Sequence, residues 1–74
     1  MLNSFVYSTY DENTESWEIN RNGFVFKCTY IPGDDWVEVY CPEISSVPQG
    51  AEAKKMDYHR IADFLASEIL RYAA

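Results

Sequence analysis

The apolar positions follow two rhythms. Up to about Cys41 they alternate in short runs broken by turn residues, whereas from about Lys55 they recur every three or four residues. The change of period predicts strands followed by a helix. The first run, Phe5 to Tyr10, is aromatic and β-branched and ends in the polar cluster Asp11 to Glu15, which predicts a strand and then a loop. Next, Ser16–Asn20 and Phe24–Ile31 flank Arg21-Asn22-Gly23. Asn-Gly between alternating runs is the preferred type I′ hairpin turn, because both central residues need positive φ. A two-residue loop there sets Arg21 against Phe24, Ile19 against Phe26, Glu18 against Lys27 and Trp17 against Cys28. Apolar then meets apolar and acid meets base.

Pro32-Gly33-Asp34-Asp35 suits a short turn into a further strand, Trp36–Cys41, with Ile31 facing Trp36, Tyr30 facing Val37, Cys28 facing Val39 and Phe26 facing Cys41. One sheet face therefore holds Trp17, Ile19, Phe26, Cys28, Tyr30, Val37, Val39 and Cys41. Residues 42–54 contain Pro42, Pro48 and Gly50 and read as a connector. The helix is expected over about 55–73, with Tyr58, Ile61, Ala62, Leu65, Ile69 and Tyr72 as its apolar stripe and Asp57 as its N-cap. An amphipathic helix and a one-sided apolar sheet must bury against each other. The expected fold is a single α+β domain over residues 1–74: a four-stranded antiparallel meander (about 4–41) covered on one face by one C-terminal helix.

Composition narrows what such a domain does. With 74 residues, one domain is the limit, and a core of this size supplies about 3–5 kcal/mol of net stability. The 47% apolar and 16% aromatic content argues for a packed globule over an acidic disordered tail. The sequence has no apolar run near 18 residues, and Met1-Leu2-Asn3-Ser4 does not resemble a secretion signal, which predicts a soluble, cytoplasmic protein away from membranes. Twelve acidic against six basic residues give −6, a charge that disfavours direct nucleic-acid binding. The excess lies in residues 1–43, where eight acids meet two bases; residues 44–74 balance.

Two surfaces stand out. The sheet face turned from the helix is expected to carry Val25, Ile31, Trp36 and Tyr40 among Glu18, Lys27, Thr29 and Glu38, where an ordinary exposed face would be polar. Trp and Tyr are enriched where proteins meet, although cross-strand packing or cover by residues 43–50 would also explain these rings. In a meander the first and third turns share an end, which gathers Asp11, Glu12 and Glu15 with Asp34 and Asp35. Such a rim either steers a basic partner or simply solubilises the turns.

Catalytic chemistry finds little footing. His59 is the single histidine and is spaced to pair with Asp63 across a helical turn, a surface ion pair rather than part of a triad. Cys28 and Cys41 fall on the inward face as free, buried thiols. Three Cys and His in all are too few for a zinc site, and no loop has calcium-ligand spacing. No catalytic, metal or cofactor site is expected. Phe64 and Leu70 widen the helix stripe on either side.

In size, layout and acidity the chain resembles small phage-encoded inhibitors, among them anti-CRISPR proteins and DNA mimics, a likeness of composition without a motif. The expected function is a non-enzymatic binding module, an inhibitor or adaptor that docks on a larger protein with a basic surface, such as one that handles nucleic acid. Trp36, Tyr40 and Ile31 are the expected anchors, with Asp11, Glu12, Glu15, Asp34, Asp35 and Glu38 orienting the encounter. A self-associating homodimer and an accessory subunit of an enzyme are the alternatives.

Overall fold

The computed structural model describes residues 14–73. Strands β1 (Glu15–Arg21), β2 (Phe24–Ile31), β3 (Trp36–Tyr40) and β4 (Gln49–Glu52) form one antiparallel sheet in the order β1-β2-β3-β4, and helix α1 (Tyr58–Arg71) follows. The architecture is the two-layer α+β meander expected from the periodicity. Its first hairpin turns at Asn22 (φ 54°) and Gly23 (φ 84°), the two left-handed residues a type I′ turn requires. That turn sets the register: Trp17 pairs with Cys28, Glu18 with Lys27 and Ile19 with Phe26. After a 3-10 turn over Pro32–Asp34 and a left-handed Asp35 (φ 49°), Ile31 pairs with Trp36 and Cys28 with Val39.

The fourth described strand is not one of those read from the sequence. The expected strand Phe5–Tyr10 lies outside the described residues, and the supposed connector 42–54 contains β4, which pairs Glu52 with Trp36 and Gly50 with Glu38. Glycine inside a strand commonly marks a close approach of something else. Here that something is the Trp36 indole: a Cβ on Gly50 would stand 2.6 Å from its Cζ2. Gly50 is thus part of the strand because a neighbouring ring needs its space.

The inward face holds Phe26, Cys28, Tyr30, Val37, Val39 and Cys41, packed with Ala53 under Ala62, Leu65, Ala66 and Ile69 of the helix. Ala62 and Ala66, fully buried and four residues apart, let the helix backbone come close to the sheet. The helix begins later than expected, at Tyr58. Asp57 is its N-cap residue, but its Oδ1 accepts the Lys54 backbone N–H (3.0 Å) and its Oδ2 pairs with Arg60 (3.5 Å) instead of bonding the first turn. Tyr72, assigned to the buried stripe, lies past the last helical turn and is 78% exposed; Ala66 takes its place in the core.

Polar contacts clasp both ends of strand β1 to the helix. At one end the Tyr58 hydroxyl donates to Glu15 Oε1. At the other, Arg21 donates to Asp63 Oδ1 (2.8 Å) and Ser67 Oγ (2.9 Å). Asp63 is therefore engaged by Arg21 across the layers, and the expected His59–Asp63 pair does not form. A forked guanidinium reaches carboxylate and hydroxyl together, which an imidazole on the same helix does not.

Candidate interaction face

Alternation puts Ser16, Glu18 and Asn20 of β1, Val25, Lys27, Thr29 and Ile31 of β2, Trp36, Glu38 and Tyr40 of β3, and Gly50 and Glu52 of β4 on the side of the sheet opposite the helix. Trp36 is half-buried and held in place. Its indole leans onto Gly50, and its Nε1–H donates to Glu38 Oε2 at 3.1 Å. Ile31, its cross-strand neighbour, is only 2% exposed. As an expected anchor Ile31 is corrected to a supporting role, because burial leaves it almost no surface to offer.

Tyr40 lies opposite Lys27. Beside it, Ser46 and Pro48 curl round to make a cleft of about 390 Å³ whose other walls are Lys27, Thr29, Glu38 and Tyr40. The Ser45 hydroxyl shapes this bend, accepting the Val47 N–H at 3.2 Å. Tyr40 thus forms one wall of a groove rather than standing alone.

The acidic rim is assembled in part. Glu15, Asp34 and Asp35 do reach one end of the sheet, joined there by Glu52 and Asp57, while Asp11 and Glu12 lie outside the described residues. Lys54 and Lys55 stand at the same end, so the rim is mixed in sign. The sheet face itself is more one-sided, with Glu18, Glu38 and Glu52 against Lys27.

Sequence reasoning allowed residues 43–50 to cover this face, as Ser46 and Pro48 do beside Tyr40, but missed strand β4 and with it the places of Gly50 and Glu52, because Pro48-Gln49-Gly50 looked like a break. The available signal was parity: Ala51 and Ala53 alternate with Gly50 and Glu52, as a half-buried strand would.

The inner face holds a separate aromatic cluster. Tyr30 and Tyr58 stack at 4.0 Å, Trp17 meets Tyr58 edge-on at 5.5 Å, and His59 lies 4.5 Å from Trp17. The bond to Glu15, then burial, raises the Tyr58 hydroxyl above its ordinary pKa. Burial, aided by Asp63, pushes the Cys28 thiol up to about 12, which keeps it protonated and a poor nucleophile. Both cysteines are buried and unbridged. Among the described residues no three His, Cys, Asp or Glu converge as metal ligands, and no helix is long and apolar enough to cross a membrane. No family model matches the chain, and no curated protein or solved structure matches it either.

Proposed function

We propose that the chain is a non-enzymatic, acidic protein-binding module, a small inhibitor or adaptor that docks its open sheet face on a basic surface of a larger protein. One observation carries the reading: Trp36 and Tyr40 are fixed on the side of the sheet away from the helix, among three carboxylates and one lysine. Rigid amphipathic rings give large contact area at small entropic cost, and carboxylates around them speed encounter with a cationic partner. Ile31, buried on the same face as the cross-strand neighbour of Trp36, supports the platform from beside it. Glu15, Asp34 and Asp35 act as a distal steering group. A phage-type inhibitor of a nucleic-acid-handling complex is the finer form of the proposal. Buried, unbridged thiols favour a reducing compartment such as the cytoplasm.

The test is a pair of surface variants, Trp36→Ala and Tyr40→Ala, assayed against a partner isolated by affinity capture. Both are expected to keep the native circular dichroism spectrum and to bind at least tenfold more weakly, as anchor residues do. If three exposed ion pairs form at about 0.2–1 kcal/mol each, raising the salt should cost roughly 3- to 150-fold in affinity. Folded variants that bind as tightly as the parent, at any salt, would refute the reading. Sedimentation at micromolar concentration separates it from self-association through the same face.

A further inference from the structure

Trp36 and Glu52 are cross-strand neighbours on the face turned from the helix, so their Cβ atoms lie about 4.5–5.5 Å apart. One side of the indole is against Gly50, and the ring is pinned by the Glu38 carboxylate. That contact occupies Glu38 Oε2, and Oε1 accepts no hydrogen bond among the described residues. Glu52 is exposed and makes no ion pair among the described residues. The arrangement is a pinned indole bonded to the Glu38 carboxylate, with Glu52 as its cross-strand neighbour, on a face where the described carboxylates outnumber the lysine.

We infer that this corner is a receptor for an arginine side chain presented by the partner. The guanidinium stacks on the outward side of the indole, one edge donating to Glu52 and the other to Glu38 Oε1. A planar cation with in-plane donors satisfies ring and carboxylates at once, whereas the compact ammonium of lysine can engage one or the other. Lys27 lies four residues along β2 from Ile31, opposite Tyr40, and so does not fill the corner itself. The inference rests on the docking reading above and adds the chemistry of the contact.

Capped hexa-arginine and hexa-lysine peptides serve as probes, followed by 1H–15N correlation spectra of the intact chain at low salt. Hexa-arginine is expected to shift the Trp36 indole N–H and the amides of Gly50 and Glu52 saturably, and to bind about threefold or more tightly than hexa-lysine. Glu52→Gln, which keeps shape and removes charge, should abolish most of that preference; Glu18→Gln, on the same face but remote, should not. Equal binding of both peptides at this corner would overturn the arginine receptor and leave the docking face standing. Shifts confined to Glu15, Asp34 and Asp35, or no shifts at all, would overturn both. Concentration-dependent shifts of the same signals without peptide would assign the corner to a second copy of the chain and overturn the receptor as well.

Discussion

Gly50→Ala is the sharpest probe of how the open face is built. The added methyl would stand 2.6 Å from Trp36 Cζ2 and 2.9 Å from both Cε2 and Nε1. Comfortable carbon contacts begin near 3.5 Å, so the ring has to retreat by about 1 Å. The indole hydrogen bond to Glu38 is already 3.1 Å long and does not survive such a shift. Losing a part-exposed bond to a carboxylate costs about 1–1.5 kcal/mol, and an off-rotamer ring about 0.5–1.5 kcal/mol more. Reduced freedom of the unfolded chain returns about 0.4–1 kcal/mol. The net expectation is a loss of about 1–2 kcal/mol, a fall of roughly 5–15 °C in Tm for a domain of this size. Thermal unfolding by circular dichroism reads the stability, and the Trp36 indole proton reads the bond. In a Trp36→Ala background the three closest contacts of the methyl are gone, so the same substitution should become neutral or slightly stabilising. A Gly50→Ala protein that melts no lower than the parent with its indole resonance unmoved would refute this account of the face.

Phe26→Ala empties a fully buried site at the centre of the core and should cost about 3–5 kcal/mol, most of the stability of so small a domain; urea unfolding would show little native baseline. Asp63→Ala breaks the clasp to Arg21, yet both partners are partly exposed, so equilibrium unfolding should register only about 0.2–1 kcal/mol. Cys28 holds its proton to about pH 12 in the folded state against 9.0 for an ordinary thiol. The unfolded chain therefore releases a proton first, and this residue's contribution to stability, complete below pH 9, should decline as pH rises from 9 towards 12. Replacing Cys28 by Ala should flatten that alkaline limb of a stability–pH curve.

How much was legible depended on whether local chemistry or distant neighbours decided each element. The Asn22-Gly23 turn is local, and because turn type fixes register, every β1–β2 pair followed from it. The β2–β3 register followed in the same way from Pro32 to Asp35. Strand β4 has no β-branched residue, and its glycine is explained only by a ring that arrives from β3, so propensity pointed to a loop. Burial of Ile31 on the nominally open face is likewise invisible to alternation, which assigns a side but not what covers it. The placement of Trp36, Tyr40 and Glu38 on the face away from the helix was legible, as was cover of that face by residues 43–50; the place of Glu52 was not, since it depends on β4 folding back beside β3.

Because the chain's two tryptophans sit on opposite sides of one sheet, the molecule carries a pair of built-in optical reporters. Trp17, in contact with Tyr58 and His59 of the helix, should change its emission when the helix lifts away. Trp36 answers instead to whatever approaches the far side. Retaining one indole at a time, with phenylalanine at the other position, would let helix detachment and ligand arrival be timed separately in the same protein without an attached dye.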